Sequence, residues 1–194
     1  NTNAEFGSTN FDGSQLSVVS TNDTAQFSII RWDGDNTNNA TVGHGLSGKP
    51  NFSIIKRYTG GTANWDTNFD GLTGGTSLNF DATTAIFSPT QSYHSLGAST
   101  LTLTNGGSGI VRVNGTSSKY ICYAFKNVEG HCKVGTYLGN SADDGVFVFL
   151  GFRPSFVMCR RVSSTGGGHV FDDKRTLEDD LSARFNEIDI RIEA

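Results

Sequence analysis

The stretch "KPNFSIIKRYTGG", residues 49–61, has the pattern of a β-strand that runs into a tight turn. A proline stands at the entry, where a strand needs no ladder N–H, and aromatic and β-branched residues follow it. The pattern returns in "RPSFVMCRRVSSTGGG", residues 153–168, where Pro154 takes the place of Pro50. The recurrence predicts a strand followed by a glycine turn at both places.

Each of these strands ends on a pair of basic residues, Lys56-Arg57 in the first and Arg160-Arg161 in the second. Adjacent residues on a strand point to opposite faces, so the two cations of a pair cannot bind one small anion together. We expect one cation of each pair to face solvent and the other to bond an acidic or carbonyl group. The expected acidic partners across the hairpins are Asp66 for Arg57 and Asp172 for Arg161.

The similarity between the two strands extends backwards along the chain. Residues 27–61 match residues 132–166, with one single-residue slip between them. The further matched positions are Trp32 with Tyr137 and Gly34 with Gly139. A repeat of this length is too long for a solenoid unit and predicts two copies of one β module.

This repeat divides the chain into an N-terminal arm (1–26), a first module (27–131) and a second, incomplete module (132–194). The second copy lacks counterparts of the later strands of the first. A sheet that lacks strands exposes edges that pair with something else. The arm strand "SQLSVVS", residues 14–20, or a neighbouring subunit could supply the missing strand, and we expect a homo-oligomer.

The composition is typical of an all-β protein, with 24 glycines, 14 phenylalanines and only 18% charged residues. We predict an antiparallel, sandwich-like fold. Two segments that are apolar on both faces predict central strands, "KYICYAFK" (119–126) and "VFVFLGF" (146–152). Two alternating segments predict half-exposed strands, "STLTLTN" (99–105) and "GIVRVN" (109–114). Apolar residues at helical spacing predict a short C-terminal helix at about residues 175–186.

Charge and hydropathy exclude two classes of partner. The formal net charge of −4 leaves no basic field to bind the phosphates of a nucleic acid. No apolar run approaches the roughly 18 residues that a membrane helix needs. We therefore expect neither nucleic-acid binding nor membrane insertion. The chain begins at Asn1 without a leader pattern, which indicates a processed chain or a piece of a longer one.

Residues that could carry catalysis form no recognisable constellation. The acidic groups Asp143-Asp144 and 178–180 are sequence neighbours, whereas a glycosidase needs carboxylates that oppose each other across a cleft. Chain order alone supports no Ser-His-Asp arrangement for the four scattered histidines, which are His44, His94, His131 and His169. We expect no catalytic residue.

We expect no metal ion and no cofactor either. The segment "DGDNTNN", residues 33–39, places oxygen ligands at alternate positions but lacks the glycine and glutamate of a calcium loop, which favours a turn. The cysteines are odd in number and form no C-x-x-C pair, so we expect free thiols packed as small hydrophobic groups. They are Cys122, Cys132 and Cys159.

Aromatic side chains at predicted strand ends and turns are the remaining candidates for a binding site. They are Trp32, Tyr58, Trp65, Tyr93 and Tyr137. Rings beside Asn and Asp side chains are a common way to hold a sugar, so these five could contact a carbohydrate or a partner protein. Rings that simply cover a sheet produce the same pattern, and both interpretations stay open.

Three segments together resemble a β-rich domain common in virion proteins of marine bacteriophages, cyanophages included. They are "ATVGHGLSGKPNFSIIKR" (40–57), "KYICYAFKNVEGHCKVGTYLGN" (119–140) and "GVFVFLGFRPSFVMCRR" (145–161). The resemblance runs from about Phe27 to about Arg175, and the long middle motif is its most specific part. It supplies no catalytic residues.

The resemblance implies a non-catalytic structural protein on the virion surface, in a tail fibre or another appendage, that serves adhesion or assembly. The implied partners are other virion proteins, a host surface glycan and further copies of the chain, with a trimer expected in a fibre. A capsid decoration protein is the first alternative. A polysaccharide depolymerase is a less favoured one, because no opposed carboxylates support it.

Overall fold

The structure is a computed structural model that describes residues 7–72, 76–87, 93–105, 110–142 and 144–172. Antiparallel strands dominate the described residues, with one short 3-10 helix, η1 (Ile110–Arg112), and no α-helix. The strands are, in chain order, β1 (Ser8–Asn10), β2 (Ser17–Asn22), β3 (Phe27–Asp33), β4 (Ala40–Gly43), β5 (Phe52–Thr59), β6 (Asp66–Phe69), β7 (Leu78–Asn79), β8 (His94–Leu96), β9 (Thr100–Leu103), β10 (Lys119–Phe125), β11 (Phe156–Arg160) and β12 (Gly168–Asp172). The prediction of an all-β fold is confirmed.

The larger sheet of the described residues has the strand order β1-β2-β3-β10-β5-β6-β7. Strand β10 pairs along its whole length with β3 on one side and β5 on the other, which confirms the prediction of a central strand in "KYICYAFK". Its side chains alternate, so that Tyr120, Cys122 and Ala124 point into the core and are fully buried.

The N-terminal arm belongs to this same sheet. Strand β2 pairs with β3 on one edge and with β1 on the other. The suggestion that "SQLSVVS" (14–20) completes the second module is therefore wrong, because its strand is already used in the sheet of the first module.

A smaller sheet with the order β4-β9-β8 supplies the other side of the core. Strand β9 confirms the prediction made for "STLTLTN", because Leu101 and Leu103 are buried while Thr100 and Thr102, which alternate with them, are partly exposed. These leucines pack in one cluster with Ile30 and Ile55 of the larger sheet. Two antiparallel sheets that enclose one apolar core form a sandwich-like fold, as predicted.

A row of phenylalanines crosses the opposite face of the larger sheet. Phe27, Phe125, Phe52 and Phe69 lie at paired positions on β3, β10, β5 and β6. The ring centroids of Phe27 and Phe125 are 4.7 Å apart, and those of Phe52 and Phe125 are 5.9 Å apart. Cross-strand aromatic pairs of this kind stabilise a sheet and fix its register.

The prediction of a strand in "GIVRVN" is wrong. Residues 110–112 form the 3-10 helix η1, and the amides of Val113 and Asn114 both donate to the carbonyl of Ile110. The turn lets Ile110 and Val113 enter the core while Arg112 lies over the ring of Tyr93. Periodicity failed here because a six-residue apolar alternation also fits a single tight turn.

The described part of the second module contains one hairpin, β11–β12, which confirms the strand predicted at "SFVMCRR". Residues 133–155 form no strand where they are described, so the strand predicted in "VFVFLGF" is wrong. This segment has no regular secondary structure, and along it half-buried Val146 and Val148 alternate with exposed Phe147 and Phe149. The helix expected at 175–186 lies outside the described residues.

Candidate interaction surface

A hydrogen-bonded chain of serine, histidine and aspartate side chains lies inside the sandwich. The Oγ of Ser53 is 2.7 Å from the Nε2 of His94, and the Nδ1 of His94 is 2.8 Å from the Oδ2 of Asp66. These are the atoms and the order found in hydrolytic catalytic triads. Nothing in the sequence indicated this arrangement, because the residues come from β5, β8 and β6.

This chain is inaccessible to a substrate. Ser53 is 0% exposed, His94 1% and Asp66 2%. A nucleophile must reach a reacting atom at about 3 Å, and the Oγ of Ser53 faces only protein. The arrangement instead ties the two sheets together, since His94 belongs to the smaller sheet and its two partners to the larger. We call it the buried polar bridge.

The buried polar bridge also corrects one sequence expectation. Asp66 was expected to pair with Arg57, but its carboxylate points into the core and accepts a hydrogen bond from His94. The Nδ2 of Asn68 adds a further link by donating to the carbonyl of His94 over 2.6 Å. Buried polar groups are tolerated when they are hydrogen-bonded in this way.

Two of the five candidate aromatic residues are core residues, so the interpretation of these two as contact residues is wrong. Trp32 is 3% exposed, stacks on Tyr120 and donates its Nε1–H to the carbonyl of Val113. Tyr93 is 1% exposed and packs beneath the guanidinium of Arg112. Neither ring can present a face to a sugar or a partner.

The other three aromatic candidates lie at or near the surface, in different surroundings. Trp65 is half-buried against Tyr123, with the ammonium of Lys56 5.4 Å from its ring. Tyr58 is 47% exposed and Tyr137 41% exposed. These two tyrosines keep open faces that could contact a partner.

The basic pair of the first module is engaged on both faces of β5. The Nζ of Lys56 donates to the carbonyl of Ala63 over 2.6 Å, and the Nη1 of Arg57 donates to the carbonyl of Val111 over 3.2 Å. Both cations therefore bond carbonyl groups, whereas one was expected to face solvent.

In the second module, one cation bonds carbonyl groups and the other is exposed, as expected, but the expected pairing of Arg161 with Asp172 is wrong, because the register places Asp172 opposite Phe156, at the far end of the hairpin. Arg160 donates to the carbonyls of Phe80 and Thr84, over 3.4 and 2.6 Å. Burial lowers the pKa of Arg160, and the charge of Asp81 partly opposes the shift. Arg161 is exposed. These bonds attach the second hairpin to the loop between β7 and β8.

The remaining repeat positions differ in how strongly the structure constrains them. Pro50 is buried at the entry of β5, and Pro154 is half-buried before β11. A Cβ atom on Gly34 would lie 2.2 Å from the carbonyl oxygen of Gly115, so only glycine fits there. Gly139 has no such neighbour within 4 Å.

The acidic segment 33–39 forms a hydrogen-bonded turn. The Oδ1 of Asp35 accepts bonds from the amide of Thr37 and from the Nδ2 of Asn114, both over 2.8 Å. Within the described ranges, no group of three or more His, Cys, Asp or Glu side chains is placed to hold a metal ion. The cysteines are free, and burial raises the thiol pKa of Cys122.

A shallow polar depression of about 190 Å³ lies at the turn after β6. The ammonium of Lys49 is 2.8 Å from the carboxylate of Asp70, and the Nδ2 of Asn51 bonds the other oxygen of that carboxylate over 2.5 Å. Because its charges are already paired with each other, the depression offers little free bonding capacity to a ligand.

Several large apolar side chains of the second module are exposed to solvent. Phe156 is 59% exposed, Met158 39% and Val170 40%, and these three share one face of the β11–β12 hairpin. We call this the apolar hairpin face. Phe147 and Phe149, 59% and 73% exposed, lie in the irregular segment that precedes it. Exposed apolar groups concentrated in one part of a chain indicate an interaction surface.

The fold and this surface define an all-β protein with one closed sandwich and an appended hairpin that presents apolar groups to solvent. The chain belongs to the family described as "Domain of unknown function (DUF7483)", whose model matches residues 2–191. No curated protein and no solved structure matches the chain. Among the described residues, no helix has the length and apolar character needed to cross a membrane.

Proposed function

We propose that this chain is a structural protein of a bacteriophage particle, exposed at the particle surface as part of a tail fibre or another appendage. It serves adhesion or assembly and is not a catalyst. The similarity of segments 40–57, 119–140 and 145–161 to marine phage virion proteins supports the phage setting.

The observation that carries the proposal is the apolar hairpin face together with exposed Phe147 and Phe149. A chain that folds alone normally covers such groups, whereas a component of an assembly leaves them for its neighbours. The burial of the Ser53, His94 and Asp66 side chains supports a non-catalytic role, because these groups have no access to a substrate.

Electron microscopy of phage particles labelled with a gold-tagged antibody against the chain tests the location. The proposal expects gold at the tail or at another appendage. Gold distributed over the head would favour the capsid decoration protein instead. Particles that carry no label, while denatured particles also lack the chain by mass spectrometry, would contradict a virion role.

Incubation of the chain with host surface polysaccharide tests the claim about catalysis. We expect binding or no interaction, without new reducing ends. Release of oligosaccharides would contradict the proposal and favour a depolymerase. If the chain binds the polysaccharide, weaker binding in Tyr58→Ala or Tyr137→Ala would place a glycan contact on the exposed tyrosines. Tyr123→Phe, at a half-buried tyrosine, is the control.

A further inference from the structure

The two hairpins of the repeat have the same pairing but different neighbours. In the first, Ile54 on β5 faces Thr67 on β6. In the second, Met158 on β11 faces Val170 on β12 at the aligned positions. Strand β5 pairs on its other edge with β10, whereas β11 pairs with β12 alone among the described residues.

Aligned side chains on the two hairpins are buried to different extents. Ile54 is 9% exposed and Thr67 1%, whereas Met158 is 39% exposed and Val170 40%. The same face of the same supersecondary unit is thus covered in the first copy and uncovered in the second. The second copy has the apolar Met158 and Val170 exposed at positions that are packed in the first copy, which indicates an interaction surface.

The edge strands of the seven-stranded and three-stranded sheets are protected against pairing with another chain, and β12, the other edge of the second hairpin, ends on the charged Asp172. Strand β1 has the polar sequence "STN", and β7 has only two residues. Strand β8 has three, and the backbone beside β4 is bridged by Gln15. Short and polar edges of this kind are common protections, but β11 has neither, since its residues 156–159 are apolar and uncharged.

We propose that β11 of one copy of this chain pairs with β11 of a second copy, edge to edge and antiparallel, so that the two apolar hairpin faces form one continuous surface. Both edges of β10 are occupied within its own sheet, so β10 of another copy cannot fill the place that it fills beside β5. The uncharged run of β11 allows it to meet itself without placing like charges opposite each other.

The pairing has twofold symmetry because both partners use the same edge, and a dimer is its smallest unit. Met158 is the central residue of the five in β11, so antiparallel pairing about that centre places it opposite its own copy. The inference is independent of the virion proposal, since it concerns self-association of the isolated chain, and it differs from the trimer expected for a fibre.

Native mass spectrometry at micromolar concentration, on charge variants of Met158, tests this pairing. The chain is expected at twice its 20.8 kDa mass. In Met158→Lys and in Met158→Glu, like charges face each other, so each should run as a monomer, with a dissociation constant raised at least tenfold. A mixture of the two variants should restore a dimer that contains one of each, because opposite charges then meet.

Phe11→Lys is the matched control, since Phe11 is 78% exposed in the N-terminal arm, away from β11 in the sequence, and its substitution should leave the dimer intact. Circular dichroism checks that each variant is folded, and the mixed dimer shows this independently. Three results would overturn the proposal. The first is a monomeric or trimeric parent chain, the second is a dimer that persists unchanged in Met158→Lys, and the third is a mixture of the two variants that stays monomeric. A monomer whose amides at 156–160 resist hydrogen exchange would also overturn it, because the chain would then cover its own edge.

Discussion

At the residue scale, burial determines the hydrogen bonds and the pKa of His44. His44 is 0% exposed; its Nδ1 accepts the amide proton of Leu46, and its Nε2 lies 3.3 Å from the carbonyl of Gly97. These two contacts require a neutral ring that carries its proton on Nε2, because Nδ1 acts as an acceptor and Nε2 faces a carbonyl oxygen. Desolvation lowers the pKa of His44 below the ordinary value of 6.5, although the Gly97 bond and the charge of Asp12 partly oppose the shift.

A consequence for stability follows from this lowered pKa. The unfolded chain takes up the His44 proton below about pH 6.5, before the folded chain does. The stabilisation from the neutral ring is therefore complete above pH 6.5 and is lost as pH falls through the lower folded pKa. We expect His44→Asn, which retains an acceptor for Leu46, to remove this part of the pH dependence.

Urea unfolding between about pH 4.5 and 7.5 measures the effect, since the slope of unfolding free energy against pH counts the protons taken up. The exposed His131, changed to Asn, is the control and should retain the slope of the parent chain. Identical slopes in His44→Asn and the parent chain would show that the ring does not titrate with folding.

Residue-scale chemistry was also the part of the structure that the sequence predicted least. The members of the buried polar bridge are 41 and 28 residues apart along the chain, and they meet only because two sheets stack. No local pattern marks such a meeting. Trp32 and Tyr93 were misplaced for a related reason, since a polar ring atom can be satisfied inside the core, as the indole of Trp32 is by Val113.

At the scale of the elements, the buried polar bridge holds β8 against β5 and β6. In His94→Ala, the hydroxyl of Ser53 and the carboxylate of Asp66 both lose a buried partner. A buried polar group left without its hydrogen bond costs about 1–3 kcal/mol, so we expect a loss of about 2–6 kcal/mol in the free energy of unfolding.

Chemical denaturation measures this loss, and Ser95→Ala provides the control. Ser95 is the exposed neighbour of His94 on the same short strand, and its truncation should change stability by no more than about 0.5 kcal/mol. A stability change in His94→Ala as small as that in Ser95→Ala would contradict the role of the bridge in joining the sheets.

The elements that sequence reasoning predicted well are those whose pattern has a single physical explanation. In β9, the alternation of Thr and Leu fits only a half-buried strand, and the proline, apolar run and glycine turn around β5 fit only a strand and hairpin. "VFVFLGF" (146–152) is apolar at every position but one, and such a run does not specify what covers it. Its pairing depends on partners that the local sequence does not encode.

At the scale of the whole molecule, the chain combines a closed sandwich with a hairpin that repeats part of it. The internal similarity predicted the repeated hairpin, and the aligned pairs Ile54–Thr67 and Met158–Val170 show the same strand pairing. The division into modules 27–131 and 132–194 stays a prediction. The sequence did not predict that the face of the second hairpin is exposed, because a local pattern of apolar residues does not specify what packs against it.

The central claim is that the second hairpin completes its packing against another protein chain in a phage particle. A reconstruction of the particle by electron cryomicroscopy, at a resolution that traces the chain, measures this directly. The account predicts the chain on the outer surface, with Phe156, Met158 and Val170 buried against a neighbouring chain. The account would be contradicted by a particle that lacks the chain. It would also be contradicted if the chain lies on the outer surface but these three side chains still face solvent.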